Sequence, residues 1–257
     1  MDLSLRKATL LVAVAALVAL AGCNLGGQGT ATPGANSTAT PTDSLEPMSE
    51  LNGSELTADT TAAVEDAGSY TRRVDANITS NSSAGASRSN ATVTTRVDFE
   101  AERGLRITDQ SVSYPTLSGT ARTSVFTDGN ASYRRQNSSL SGLSYDTQTG
   151  RRTAPGGIRP VNVTGFDRTY TDVSNLTRSF DWQANGTTTV GEARTIRYSS
   201  TNVTNATRLL GTADPTLTNA SADIYVDADG VVRRLDIAYT TAADNATTRA
   251  DITVTLT

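Results

Sequence analysis

The sequence has no histidine, one cysteine and one lysine. Histidine is the commonest general base and transition-metal ligand, so its absence removes the usual Ser-His-Asp and Cys-His catalytic sites. The single cysteine, Cys23, excludes an intramolecular disulfide. Because Lys7 is the only lysine and no basic stripe is present, we expect no nucleic-acid partner. The prediction is a protein that is not an enzyme and that holds no metal and no other cofactor.

Aromatic residues are also few, since Phe, Tyr and Trp total 13 of the 257 residues. Ser and Thr together number 68, which favours strands and turns over long helices. The net charge is −4 at pH 7. An acidic, nearly lysine-free and threonine-rich composition is typical of proteins exported by salt-loving archaea, where molar salt screens charges within about 3 Å. We therefore expect a haloarchaeal protein; the alternative is a GC-rich bacterial composition.

Residues 1–22 have the pattern of a signal peptide. Arg6 and Lys7 precede an apolar run over residues 8–21, which at about 14 residues is too short to cross a bilayer of about 30 Å. The run ends in Leu20-Ala21-Gly22-Cys23, which resembles a lipobox. That resemblance implies cleavage before Cys23, a lipid on its thiol, and anchoring at the extracellular face of the cell membrane. Sec and twin-arginine export both stay open.

The rest of the chain divides into a tether and one domain. Residues 23–50 are rich in Gly, Thr, Ser, Ala and Pro, which predicts a lipidated flexible tether. Residues 51–257 have the length of a single β-rich extracellular domain. A helix is predicted at Glu55 to Ala67, with Ser54 as its N-cap and Gly68 ending it in the left-handed conformation.

Alternation of apolar and polar residues predicts an antiparallel sheet. It is clearest from Val93 to Ala101 and from Ala250 to Leu256, and further strands are predicted near Leu105, Val125 and Tyr133. Residues 137–165 are predicted to be loop-rich, and residues 171–180 to include a helical turn. The predicted fold class is mainly β with minor α (α+β), a strongly curved antiparallel sheet partly covered by short helices.

This layout resembles the lipoprotein-carrier fold of the LolA and LppX kind. The features that carry the resemblance are the lipobox, the tether, the early helix, the turn Val190-Gly191-Glu192-Ala193 and the hairpin from Ile224 to Val232. The resemblance implies a half-barrel whose concave apolar face holds a lipid or another apolar ligand. Haloarchaeal lipoproteins are similar in this layout.

Glycosylation sequons, Asn-x-Ser/Thr with x not Pro, are the most frequent motif. They include 14 of the 15 asparagines, where chance at this Ser/Thr content gives about four. We expect several to carry sugar and to lie on the polar side of their strands. The candidate sites are Asn36, Asn52, Asn77, Asn81, Asn90, Asn130, Asn137, Asn162, Asn175, Asn185, Asn202, Asn205, Asn219 and Asn245. Asn-x-Thr as a hydrophilic turn filler is the alternative interpretation.

Two acidic motifs could indicate a calcium site or a hydrolytic site. Asp227-x-Asp229-Gly230 could begin a calcium loop, but no terminal Glu follows, so we interpret it as a hairpin turn. Asp98, Glu100 and Glu102 could supply a carboxylate pair for a hydrolase, but they have the phase of one solvated strand face. Neither motif predicts a catalytic or metal site.

Two functions therefore remain for the exported domain. The first is a lipid-anchored, non-enzymatic binding module for a lipid or other apolar ligand. The second is a glycosylated structural or interaction protein of the cell envelope without a ligand cavity, with surface-layer proteins as its partners. Both place the chain at the membrane through the lipid on Cys23.

Overall fold

An antiparallel sheet of eleven strands forms the body of the molecule. The structure is a computed structural model that describes residues 45–83, 85–128, 131–149, 173–210, 216–243 and 245–257. Three helices accompany the strands within these residues: α1 (Gly53–Asp66), α2 (Val173–Thr177) and α3 (Ala206–Leu210). The strands are β1 (Ser69–Ser82), β2 (Gly85–Asp98), β3 (Arg103–Tyr114), β4 (Leu117–Thr127), β5 (Ala131–Ser138), β6 (Gly142–Thr149), β7 (Gln183–Val190), β8 (Ala193–Ser200), β9 (Leu217–Asp227), β10 (Val232–Ala243) and β11 (Ala246–Leu256).

The strand order brings the two halves of the chain together at the middle of the sheet. The order is β6-β5-β4-β3-β2-β1-β11-β10-β9-β8-β7, and every neighbouring pair is antiparallel. The first and last strands are therefore partners, with Val74 of β1 opposite Val254 of β11. The predicted fold class, a curved and mostly antiparallel sheet with few short helices, is confirmed.

The core lies between the helices and one face of the sheet, which we call the helix face. It is formed by alternate residues of β1 and β8 to β11, such as Ile224, Leu235 and Val254, each 0% exposed. Leu56 of α1 and Leu176 of α2 cover them and are themselves buried. Burial of each such side chain contributes about 1.5–3 kcal/mol, so this half of the sheet holds most of the apolar stabilisation.

Helix α1 begins two residues before the predicted position. Asn52, not Ser54, is its N-cap, and the Asn52 Oδ1 accepts hydrogen bonds from the amides of Ser54 and Glu55. Gly53, the first residue of the helix, packs closely against α2, since a Cβ there would lie 2.6 Å from the carbonyl oxygen of Val173. Gly68 follows the helix with φ +70°, as predicted for its end.

Several elements differ from the sequence prediction. Strand β6 lies in the stretch that was expected to be loop-rich, and neither β7 nor α3 was predicted. The predicted helical turn is present as α2, and its expected face, Val173, Leu176 and Phe180, is buried. No helix in the described ranges is both long and apolar enough to span a bilayer.

The packed part of the chain begins before the predicted boundary at Leu51. Leu45 packs against the core, and the Met48 amide donates a hydrogen bond of 2.7 Å to the Tyr198 hydroxyl on β8. Residues 45–51 thus form a covering segment over the helix face. The predicted signal peptide, the tether as far as residue 44, and much of the predicted loop region, from residue 150 to 172, lie outside the described residues.

Candidate functional site

A groove with mixed polar and apolar walls lies beneath the covering segment. Its volume is about 350 Å³, and it is lined by Leu45, Glu46, Met48, Ile196, Tyr198 and Val226. The turn between β9 and β10 closes one side through Asp227 and Ala228. The groove leaves room for a small group next to the side chains of the helix face.

The acidic motif at residues 227–230 is a hairpin turn, as interpreted from the sequence. The Asp227 carboxylate accepts hydrogen bonds from the amides of Asp229 and Val231. Its second oxygen is 2.6 Å from the Arg233 guanidinium. Gly230 has φ +78°, the left-handed conformation that a tight turn needs. Because backbone and arginine donors use both oxygens, the carboxylate serves the turn rather than a metal ion.

Asp98, Glu100 and Glu102, the carboxylates considered above as a possible pair for a hydrolase, do not share one strand face. Strand β2 ends at Asp98, and its Oδ1 accepts a hydrogen bond from the Ala101 amide, so Glu100 and Glu102 lie in the turn. Glu102 has φ +50°. The prediction that all three lie on one solvated strand face was wrong. The alternation of apolar and polar residues continues past the end of the strand, through Phe99, and so suggests a longer strand than the structure has. All three carboxylates are exposed.

The opposite face of the sheet, which we call the outer face, carries a set of arginine–aspartate pairs that sequence reasoning missed. Each joins side chains on one face of a strand or of neighbouring strands. The pairs and N–O distances are Arg73–Asp75 at 2.7 Å, Arg234–Asp236 at 2.8 Å, Arg249–Asp251 at 2.8 Å and Arg197–Asp223 at 3.0 Å. Three of them repeat Arg-x-Asp, a period-two signal that could have revealed them.

The pair formed by Arg73 and Asp75 lowers the pKa of the Asp75 carboxylate. It accepts hydrogen bonds from the Arg73 guanidinium and, at 2.7 Å, from the Thr92 hydroxyl on β2. The Arg73 hydrogen bond, helped by Thr92, holds the pKa of Asp75 below its ordinary value, although partial burial acts in the other direction. The Asp75 carboxylate is therefore engaged with its own arginine and with a neighbouring strand.

The sequon asparagines that the structure describes lie at or near the surface. Eight are exposed: Asn52, Asn81, Asn137, Asn185, Asn202, Asn205, Asn219 and Asn245. Asn77, Asn90 and Asn175 are half-buried. Asn77 is on the outer face, the polar side predicted from its phase, and lies opposite Asn90 in the register of β1 and β2. Cys23, Asn36, Asn130 and Asn162 lie outside the described residues.

Two polar grooves adjoin sequon asparagines. One, of about 550 Å³, crosses β2 to β5 and includes Asn90 and Asn137 in its lining. The other, of about 420 Å³, lies beside β7 and β8 and includes Asn185 and Asn202. Most of the residues that line these two grooves carry hydroxyl or amide groups or a charge.

The described fold defines a class of antiparallel-sheet domains with a few short covering helices. The chain belongs to DUF7537, a family of unknown function, whose model matches residues 8–257. No curated protein matches the sequence.

Solved structures similar to this chain include LprF from Mycobacterium bovis, at 11% identity and a TM-score of 0.34, with 78% of this chain and 90% of LprF covered. The lipoprotein LppX from Mycobacterium tuberculosis matches at 11% identity and a TM-score of 0.29, covering 80% and 95%. A putative outer membrane lipoprotein-sorting protein domain from Vibrio parahaemolyticus matches at 9% and 0.24, covering 77% and 88%.

Proposed function

We propose that the chain is a non-enzymatic, lipid-anchored protein of the cell envelope that acts through its polar surface. The observation that supports this most directly is the packing of the helix face. Ile224, Leu235 and Val254 are fully buried under the helices, so the apolar face of the sheet serves as the core. The partners that such a surface fits are other envelope components, including surface-layer proteins.

The proposed anchor is a lipid on Cys23. The lipobox Leu20-Ala21-Gly22-Cys23 supports it, and the first described residue, Leu45, follows after a polar and proline-containing stretch that can act as a spacer. Each lipid methylene buried in the membrane contributes about 0.8 kcal/mol. Two acyl chains on one residue therefore give stable membrane anchoring, whereas a single chain gives marginal, reversible binding.

The absence of enzymatic activity is supported by how the carboxylates are used. Asp75, Asp223 and Asp236 are each bonded to an arginine of the outer face, and Asp227 is bonded within its own turn. A general acid or base needs a proton that it can exchange with a substrate. Carboxylates whose oxygens already accept hydrogen bonds from arginine or backbone groups are poorly placed for that role.

The second candidate function is the binding of a lipid or another apolar ligand. The groove between the covering segment and β8 favours it, because Leu45 and Met48 are partly exposed covers over Ile196 and Tyr198. A volume of about 350 Å³ is at the lower limit of small-molecule pockets. A longer ligand would require the covering segment to move.

A titration with a fluorescent fatty acid separates the two functions. We expect a soluble form beginning at Leu45, folded by circular dichroism, to show no saturable binding. Binding at one equivalent, weakened by Met48→Trp in the groove but not by Leu117→Trp, would instead establish the ligand-binding function. Met48 and Leu117 are matched in exposure, 39% and 37%, and Leu117 lies on β4, away from the groove.

A further inference from the structure

The two outermost strands of the described sheet differ in how well they are protected against pairing with another strand. The register of β7 shifts after Ala184, where Gly186 has φ +76°, and such a bulge blunts a sheet edge. All residues of β7 except Val190 are exposed, and none of the exposed ones is large and apolar. Strand β6 instead pairs with β5 in an unbroken register from Gly142 to Thr149, and it contains no proline or lysine. In the part of the chain that the structure describes, no strand lies on its other side.

Exposed aromatic side chains lead across the outer face of the sheet to β6. Phe126 on β4 is directly opposite Tyr133 on β5, and their rings stack with centroids 6.2 Å apart. Tyr145 on β6 lies one diagonal step from Tyr133, because it is opposite Arg135 in the register of β5 and β6. Leu143 is on the same face of β6 as Tyr145. We call Phe126, Tyr133, Leu143 and Tyr145 the aromatic strip.

The exposure of the aromatic strip rises toward β6. The exposed fraction is 38% for Phe126, 45% for Tyr133 and 69% for Tyr145, and Leu143 is 53% exposed. An interior strand has a neighbour on each side whose side chains cover its own, whereas among the described strands β6 has one neighbour. Exposed apolar surface of this kind marks an interaction site. The cover that Tyr145 and Leu143 lack is therefore the cover that one further strand would give.

The chemistry of β6 defines the partner that fits it. Along an edge strand, the N–H and C=O groups of alternate residues point away from the sheet and can bond to an added strand. The added strand must also present apolar side chains on the outer face, opposite Leu143 and Tyr145. Strand β6 of a second copy meets both requirements. A twofold axis perpendicular to the sheet makes the two β6 strands antiparallel and keeps the outer faces of both copies on the same side.

We propose that two copies of the chain associate through their β6 strands, which pair antiparallel about a twofold axis and join the two sheets into one. The pairing does not rest on the lipid anchor or on either proposed function.

The register of this pairing is centred on Tyr145, which lies opposite its counterpart in the second copy. A register centred on residue 146 would place two aspartates opposite each other, where like charges repel. A register centred on Ser144 would pair residues 142–146 of each strand, against residues 142–148 for the register centred on Tyr145. The register centred on Tyr145 therefore pairs the longer stretch and opposes no like charges.

The contacts made by the paired strands set the strength of the association. A ladder over residues 142–148 makes about six to eight backbone hydrogen bonds. The two Tyr145 side chains form a cross-strand aromatic pair and cover each other. The contact involves one strand from each copy, so it belongs to the small class of interfaces that associate reversibly, and we expect a dissociation constant on the order of micromolar.

Disulfide cross-linking of the full protein in membranes of its host tests the pairing. We expect Tyr145→Cys to form a covalent dimer at least about fivefold faster than Tyr133→Cys, because directly opposed residues have Cβ atoms about 5 Å apart, close to disulfide geometry. The two Tyr133 positions would be three strand spacings apart, at least about 14 Å. The unsubstituted protein reports any cross-link through Cys23. Equal rates for the two variants, or no covalent dimer from Tyr145→Cys, would overturn the pairing.

Sedimentation of the full protein in mild detergent measures the association itself. We expect a dimer that dissociates to the monomer on dilution. Tyr145→Arg places two cations opposite each other on the axis and should raise the dissociation constant about tenfold or more. Tyr133→Arg, at an exposed tyrosine of the same face one strand further in, should change it by less than about threefold. Circular dichroism checks that both variants are folded.

Two results of this measurement would overturn the proposal. One is a monomer at every concentration, including a monomer whose β6 binds a strand of another protein. The other is an equal loss of association in Tyr145→Arg and Tyr133→Arg, which would assign the contact to the aromatic strip as a whole and not to the edge of β6.

Discussion

At the scale of single residues, buried hydroxyl groups join the helices to the sheet. Thr60 of α1 is 0% exposed, and its hydroxyl accepts a hydrogen bond of 2.9 Å from the Val232 amide at the start of β10. The same hydroxyl donates to the Leu56 carbonyl at 2.6 Å. A threonine on a helix is usually a weak helix former, but here it satisfies a backbone amide that would otherwise be buried alone.

We predict that Thr60→Val lowers the free energy of unfolding by about 1–3 kcal/mol, because the Val232 amide loses its acceptor in a buried site. Denaturant unfolding measures the change. Thr61→Val is the matched control: the Thr61 hydroxyl donates only to the Thr57 carbonyl within the helix, and we expect a change within about 0.5 kcal/mol. Equal losses in the two variants would contradict the role of Thr60.

A second residue-scale prediction concerns acid. Hydrogen bonds from Arg73 hold the pKa of Asp75 below that of the unfolded chain. The resulting stabilisation is present above the unfolded pKa of about 4 and disappears as the pH falls through the lower folded value. We therefore expect Asp75→Asn to lower the melting temperature at pH 7, and to differ progressively less from the unsubstituted protein below pH about 4.

The control for this comparison is Asp109→Asn. Asp109 also faces an arginine on the outer face and is about as exposed as Asp75, but its N–O distance to Arg122 is 3.5 Å, against 2.7 Å between Arg73 and Asp75. Exposed ion pairs contribute at most about 1 kcal/mol, so we expect the Asp75 effect to be small and the Asp109 effect to be smaller still. If Asp109→Asn matched Asp75→Asn at pH 7, or if the Asp75 effect did not change with pH, the hydrogen-bonded pair would not be the cause.

At the scale of elements, the start of α1 depends on a residue that is also a sequon. We predict that Asn52→Ala lowers the free energy of unfolding by about 0.5–2 kcal/mol, because the amides of Ser54 and Glu55 lose their acceptor. Asn52→Asp also removes the sequon but retains a capping oxygen, so its stability should stay close to that of the original protein. An equal loss in both variants, measured by thermal unfolding, would assign the effect to sugar rather than to the cap.

The strands that the sequence predicted most clearly are those with one buried face. Strand β11 alternates between buried and half-buried residues, so its period of two is visible in the letters alone. Strand β7, at the edge of the sheet, is exposed at every position except Val190 and has no such period. It was missed because its place depends on pairing with β8 rather than on burial.

Tertiary contacts explain the errors at the helices. Ser54 and Asn52 are both good N-caps, so the sequence alone does not decide between them. In the structure, the residue after Asn52, Gly53, packs closely against Val173, far away in the sequence. Helix α3 has five residues, too few for a helical period to be recognised, and it depends on Leu209 and Leu210 packing into the core.

At the scale of the whole molecule, the small number of large apolar residues in the composition matches a core that lies under one half of the sheet. Most of the buried apolar residues lie between the helices and the strands β1 and β8 to β11, and arginine–aspartate pairs lie on the outer face. Six large apolar side chains on or beside β4 to β6 are exposed: Leu117, Phe126, Tyr133, Leu140, Leu143 and Tyr145. The sequence predicted the single sheet and the surface position of the sequons. It could not predict the strand order, because that order depends on pairings between residues far apart in the sequence, such as β1 with β11.

The most direct test of the account is the mass of the N-terminal peptide of the protein recovered intact from host membranes. The account predicts a chain that begins at Cys23 with a lipid on its sulfur. A chain that retains Met1, or a Cys23 with a free thiol, would contradict it, because a polar domain with its apolar face already packed would then have no lipid to hold it at the cell surface.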